Sequence, residues 1–212
     1  MRTIGLGFRS CKCERLYQGF APANVRTNVI KIEAGLSPAL VFGGNMKISF
    51  YYVDTDYINY LKDIEINDRG FTTVPNVEYT KKHKFVYGVV LSINDVNYYV
   101  PISSYKKQQE DNLLIKIENH KKMTVAGSMR FNYMIPVPKA CLTAVDFSSS
   151  DFTEQEKVML RKEYKACLKM LSQIQKRAKK TYDRVLSGRN EELIKNSCRF
   201  ELLEKACRDY IS

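Results

Sequence analysis

The stretch Phe85-Val-Tyr-Gly-Val-Val-Leu-Ser-Ile-Asn94-Asp95-Val-Asn-Tyr-Tyr-Val-Pro-Ile102 decides the fold. Residues 85–91 form a nearly continuous apolar run, the pattern of a buried strand. Asn94-Asp95 supplies turn chemistry, and 96–102 reads as the return strand of a hairpin, rich in aromatic and branched side chains. In an antiparallel hairpin turned at 94–95, the start of the first strand and the end of the second are neighbours. Two polar segments therefore meet at one end of the sheet: Glu78-Tyr-Thr-Lys-Lys-His-Lys84 before the hairpin and Ser103-Ser-Tyr-Lys-Lys107 after it.

That cluster holds a hydroxyl pair (Ser103, Ser104), ammonium groups (Lys81, Lys82, Lys84, Lys106, Lys107), the phenol of Tyr79 and the imidazole of His83. Attack of a ribose 2′-hydroxyl on the adjacent phosphate needs a base for the 2′ proton, cations for the phosphoryl oxygens and an acid for the departing 5′ oxygen. An imidazole with an ordinary pKa of about 6.5 fits either proton-transfer role. Lys106 with a hydroxyl of Ser103 or Ser104 can hold a phosphate. The same residues also suit plain polyanion binding, with tyrosines available to stack bases.

Outward from the hairpin, Met46–Val53 reads as a strand and Asp54–Asp63 as a short helix capped by Asp54. Residues 64–82 read as a long loop, on the turn chemistry of Asn67, Asp68, Gly70, Pro75 and Asn76. Leu113–Ile117 is a further strand, with Lys121, Lys122, Gly127 and Ser128 marking turns. Strand alternation resumes over Met129–Val137 and stops at Pro136 and Pro138, and an edge strand is expected over Leu142–Phe147. Thr153-x-x-Glu156 then fits a capping box. Apolar residues from Leu160 to Val185 recur every three or four positions, so the pattern predicts one helix of roughly thirty residues ending at Gly188. Its charged face carries Lys162, Lys165, Lys169, Lys176 and Lys180, either a solvated face or a groove wall for a polyanion. A last short helix is expected over Glu201–Tyr210, burying Leu202, Leu203, Ala206 and Tyr210.

Residues 1–45 read differently. They hold six of the ten glycines, and no periodicity persists. Gly43-Gly44-Asn45 can be encoded as a purine run of the ribosome-binding type just before Met46. We therefore expect 1–45 to be a disordered or mis-annotated extension and 46–212 to be a single α+β domain.

Lys plus Arg number 34 against 23 Asp plus Glu, a net charge of +11 that favours a polyanionic partner. Met1–Phe20 is interrupted by charge and lacks the apolar centre of a signal peptide. The six cysteines lack zinc-finger spacing, and Cys167 and Cys207 fall on apolar helix faces, so thiols in a cytoplasmic, reducing setting are expected. There is no phosphate loop, no dinucleotide fingerprint, no His-Glu-x-x-His motif and no carboxylate cluster of the two-metal kind. No cofactor or metal site is expected.

From Met46 onward the chain resembles the ToxN/AbiQ family, the endoribonuclease toxins of type III toxin–antitoxin and phage abortive-infection systems. The resemblance is carried by Met46-Lys-Ile-Ser-Phe-Tyr-Tyr-Val53 with Tyr57-Ile-x-Tyr-Leu61, Phe85-x-x-Gly-Val-Val-Leu91, Tyr99-Val-Pro-Ile-Ser-Ser-x-Lys106, Phe131-x-x-Met-Ile-Pro136 and Cys198-x-Phe-x-Leu-Leu-Glu-x-x-x-Arg-Asp-Tyr210. It implies a strongly bent antiparallel sheet similar to the MazF/Kid core, a partial barrel with peripheral helices. It also implies a metal-independent RNase that leaves 2′,3′-cyclic phosphate and 5′-hydroxyl ends. The implied partner is a repeated pseudoknot RNA antitoxin, held in a closed protein–RNA assembly. By the same resemblance the family's active-site tyrosine falls on Tyr79, a basic position on His83, the hydroxyl pair on Ser103 and Ser104, and its lysine on Lys106. The position often proline in relatives is Tyr105 here. Phe131 and Tyr133 become candidate walls of a base pocket. The competing reading is a noncatalytic basic RNA-binding module on the same fold.

Overall fold

The computed structural model describes residues 48–77, 84–119 and 121–211. The expectations for residues 1–45 and for Tyr79, Lys81, Lys82 and His83 lie outside the described residues.

The hairpin forms as the sequence requires. Strand β2 (Val86–Ile93; β1 is Ser49–Val53) pairs antiparallel with β3 (Val96–Ser103). Asn94 and Asp95 between them both have positive φ, 49° and 62°, the two left-handed positions of a type I′ turn. The register shifts between Gly88 and Leu91, and Gly88 lies against the Tyr99 ring so closely that a Cβ there would overlap it. At its closed end the hairpin is tied down by buried Glu204, which accepts hydrogen bonds from Tyr98 Oη (2.8 Å), Tyr182 Oη (2.8 Å) and Asn94 Nδ2 (2.9 Å).

β4 (Asn112–Asn119) and β5 (Lys122–Arg130) form a second hairpin; β6 (Ile135–Pro136) and β7 (Leu142–Ala144) are short. Among the described residues the strands make one open mixed-in-length antiparallel sheet ordered β4-β5-β3-β2-β1-β7, with β6 pairing β3 off that path. β3 is thus shared: Tyr98 and Tyr99 face β6, while Ile102 and Ser103 face Met129 and Ser128 of β5. β6 is a marginal strand because Pro136 has no N–H to give a ladder; its carbonyl instead accepts the buried Tyr57 hydroxyl at 2.7 Å.

Helix α1 runs Thr55–Arg69, capped by Asp54, which accepts from the Tyr57 amide, and stopped by Gly70 at φ 79°. It is longer than the expected 54–63. Asn67 and Asp68 are exposed residues of its last turn, so the loop begins at Gly70. Inside α1, Glu65 is fully buried and accepts from Arg69 Nη2 (3.0 Å), Thr72 Oγ1 (2.8 Å), the Thr73 amide (2.7 Å) and the Arg199 amide (2.7 Å). That network anchors the start of the 70–77 segment to the region preceding the last helix.

Three further expectations are corrected. Gly127 and Ser128 are not turns but lie within β5, where small residues admit a neighbouring backbone. β5 ends at Arg130, and Phe131–Tyr133 is a single 3-10 turn rather than continuing strand. The expected thirty-residue helix is two helices, α2 (Glu154–Lys169) and α3 (Leu171–Leu186), divided at Met170 (φ −99°, ψ 8°). The division follows packing: α2 lies on β4 and α3 on β2. Neither Gly nor Pro marks it. The Thr153–Glu156 capping box is present in full. A short α4 (Glu191–Lys195) precedes α5 (Phe200–Ile211), which buries Leu203, Ala206 and Cys207, while Tyr210 keeps 37% of its surface exposed and packs its ring against Tyr57 and Tyr60.

Candidate active site

At the open end of the β2–β3 hairpin, the Ile102 amide donates to the Phe85 carbonyl at 3.1 Å and the Lys84 amide to the Val77 carbonyl at 3.2 Å. These bonds set Lys84 beside the end of β3. Ser103 closes the strand half-buried and Ser104 follows exposed. The Tyr105 amide donates to Ser103 Oγ at 3.2 Å, turning the chain outward. Behind Ser103 lies Gly127, where a Cβ would stand 2.6 Å from the Ser103 carbonyl oxygen. Nothing but a hydrogen fits there, and the strand pairing that presents the hydroxyls depends on it.

Lys84, Ser103 and Ser104 share one cleft of about 550 Å³. Its far wall is α2 and the segment before it, contributing Asp151, Phe152, Glu156 and Glu163; Tyr52 and Phe85 supply aromatic surface. Burial raises the Glu163 carboxyl above the ordinary glutamate range, and the positive charge of Lys106 opposes that shift. Lys106 is itself exposed and does not line the cleft, but its charge reaches Glu163 in the cleft wall. A hydroxyl pair, the Lys84 ammonium group and a carboxyl with reduced cost of protonation thus surround one opening, with the Lys106 charge acting on that carboxyl. The arrangement can hold a phosphoryl group and pass protons beside it.

The connector after Ser104 is braced rather than loose. Fully buried Asn112 accepts from the Gln109 amide (2.9 Å) and Gln108 Nε2 (2.8 Å), and its Nδ2 donates to the Lys107 carbonyl (2.9 Å). Arg177 Nη1 donates to the Glu110 carbonyl at 2.5 Å, and Arg184 pairs with the Glu110 carboxylate at 2.6 Å.

The remaining expected residues separate. Lys107 is exposed on the same connector. Phe131 is completely buried in the core, so strand and helix packing claims it and its ring offers no open face to a base. Tyr133 is half-buried under the Arg130 guanidinium. Lys162, Lys165 and Lys169 line a second cleft, of about 650 Å³, with Lys116 and Lys121 of the β4–β5 hairpin. Lys176 and Lys180 are exposed on α3 and do not line it, because the break at Met170 ends the single face that the sequence suggested. Glu163 and Asn112 were not singled out from sequence, and Gly127 only as a turn residue. Gly127 resembles any turn glycine, and Glu163 is one acidic residue on a charged helix. Only the strand register and the packing of α2 give them a role.

No helix among the described residues is long and apolar enough to cross a membrane. Residues 49–208 match the family described as toxin ToxN of type III toxin–antitoxin systems. The chain is similar to endoribonuclease AbiQ of Lactococcus lactis subsp. lactis, 27% identical over 169 residues that cover 75% of this chain and 87% of that protein. It is also similar to endoribonuclease ToxN of Bacillus thuringiensis subsp. kurstaki, 24% identical over 168 residues, 76% of this chain and 83% of that protein. Among solved structures, the fold is similar to that of a chain described with a processed non-coding RNA that regulates a bacterial antiviral system. The TM-score is 0.65 at 26% identity, covering 76% of this chain and 98% of that one.

Proposed function

The chain belongs to the ToxN family of toxins from type III toxin–antitoxin systems, and from that membership we propose that it is an endoribonuclease toxin controlled by an RNA antitoxin. The observation that carries the reading is the single cleft holding Ser103, Ser104 and Lys84, whose wall residue Glu163 feels the charge of Lys106. In the reaction, a ribose 2′-hydroxyl attacks the adjacent phosphorus, the 2′ proton leaves to a base, and the P–O5′ bond breaks as the 5′ oxygen gains a proton. A 2′,3′-cyclic phosphate and a 5′-hydroxyl result, without a metal ion. Lys106 and Ser104 stabilise charge on the phosphoryl oxygens. Glu163 is positioned to exchange a proton with the site, beside the roles expected of His83 and Tyr79.

The antitoxin is a repeated pseudoknot RNA held with the toxin in a closed protein–RNA assembly. The lysine cleft between α2 and the β4–β5 hairpin supports this, since five ammonium groups line it against one carboxylate, Glu118. The toxin domain is residues 46–212, working in the cytoplasm where its RNA targets are. A strongly bent sheet of the MazF/Kid kind is part of the same proposal and rests on the resemblance of the sequence.

Incubating the purified chain with RNA in EDTA and analysing the fragment ends tests the reading. Cyclic phosphate and 5′-hydroxyl ends are expected. Folded protein that binds RNA but leaves it intact would establish the noncatalytic module instead.

A further inference from the structure

Arg130, the last residue of β5, holds its guanidinium 4.4 Å from the centroid of the Tyr133 ring and 5.8 Å from that of Tyr105. Its Nη2 lies 3.4 Å from Tyr133 Oη, while its Nε is buried and makes no hydrogen bond. Among the described residues no carboxylate forms an ion pair with it. Arg130 is half-buried, so the guanidinium charge is left without a carboxylate partner while its outer edge can still meet an anion. Stacking on Tyr133 holds the planar fork rigid, in the form that recognises a phosphate through paired N–H groups.

Tyr105 keeps 38% of its surface exposed and sits on the connector one residue past Ser104, its amide bonded to Ser103 Oγ. The connector and Arg130 are held by the same strand pair. Asn112, which braces the connector, is the register partner of Arg130 across β4 and β5. The aromatic ring, the cation and the hydroxyl pair therefore have a fixed relation to one another.

Resting on the endoribonuclease reading, we propose that Tyr105, Arg130 and Tyr133 form a stacking subsite for one unpaired nucleotide flanking the scissile phosphate. The base lies on the Tyr105 ring and the nucleotide's phosphate takes the open donors of Arg130. Because every base has a π face, such a subsite selects for single-stranded RNA over duplex more than for one base over another.

The chain contains no tryptophan, so Tyr105→Trp installs a single indole, excited selectively above the tyrosine band, in the subsite. The probe is a single-stranded pentanucleotide methylated at every 2′ oxygen, which the proposed reaction cannot cut. Saturating probe should quench the Tyr105→Trp emission, and a duplex of the same length should quench it much less. Tyr105→Ala should weaken probe binding roughly tenfold, and Tyr105→Phe should keep it. Arg130→Met, which retains the packed stem, should lower the slope of log affinity against log salt by about one. Bound probe with unaltered emission, or Tyr105→Ala binding as tightly as wild type, overturns the subsite and leaves the nuclease reading standing. A wild-type chain that neither binds the probe nor cuts unmodified RNA overturns the nuclease reading, and the subsite with it.

Discussion

Helix α2 walls two clefts of similar size and opposite character. One is lined by Ser103, Ser104 and Lys84 against three carboxylates and aromatic rings; the other is lined by Lys116, Lys121, Lys162, Lys165 and Lys169. The lysine cleft offers five ammonium groups against one carboxylate, Glu118, and no hydroxyl. It can attract a phosphate backbone along its length. The hydroxyl cleft is the reverse: its carboxylates would repel a polyanion lying along them, so only a phosphate placed at the Ser103–Lys106 edge is favourably held. On the proposed reading, holding and cutting RNA are divided between two faces of one helix.

The largest effect is expected where the comparison is sharpest. Lys106→Ala and Ser104→Ala should each reduce RNA cleavage on the order of 100-fold or more, by removing charge stabilisation at the phosphoryl oxygens. Both side chains are exposed, so thermal unfolding should be nearly unchanged. Cleavage rates measured beside melting curves check this. Near wild-type cleavage in both variants would move the chemistry elsewhere.

Gly127→Ala comes next. Its methyl group would meet the Ser103 carbonyl, a backbone atom that can retreat only by disturbing the β3–β5 pairing. A loss of about 1–3 kcal/mol in stability is expected from overpacking, with cleavage falling beyond what the unfolded fraction explains. Denaturant titration and cleavage assays on the same preparation separate the two. This residue also shows where sequence reading stops. The hairpin, its turn and the meeting of Lys84 with Ser103 were legible, because side-chain period and turn chemistry are local. That Gly127 belongs to a strand, and is small because another backbone presses on it, depends on a partner 24 positions away. The division at Met170 was hidden for a related reason: apolar spacing continues unbroken across it while the packing partner changes from β4 to β2.

A charge reversal confined to the second cleft, Lys162→Glu with Lys165→Glu and Lys169→Glu, should act on holding more than on cutting. Antitoxin affinity should fall at least on the order of tenfold near 0.1 M salt, with a shallower salt dependence, because fewer counterions are released. Cleavage of a short oligonucleotide should fall far less. Filter binding across a salt series, run beside oligonucleotide cleavage, makes the measurement. Equal losses in both assays would mean that the two faces are not separate.

The smallest effect is on stability and tests the electrostatics of the hydroxyl cleft directly. Glu163 is faced by Lys106 from the connector, by Lys84, Ser103 and Ser104 from the hairpin, and by Glu156 and Asp151 along its own wall. Cys167 follows one turn later, its thiol pushed up to about 12 chiefly by burial. Burial dominates for Glu163 and raises its carboxyl in the folded state. The native chain therefore holds a proton at pH values where the unfolded chain has released it, upward from an ordinary glutamate value of about 4.3. Across that window the native state binds more protons than the unfolded state, so this group's contribution makes stability decline as pH rises through the raised value. Glu163→Gln abolishes the titration. The variant should lose that part of the decline and gain stability relative to wild type as neutrality is approached. Urea midpoints for both proteins across the mildly acidic range provide the check. Parallel curves would mean that Lys106 fully offsets the burial, and would place the ammonium group in closer partnership with this carboxylate than the balance of causes at Glu163 indicates.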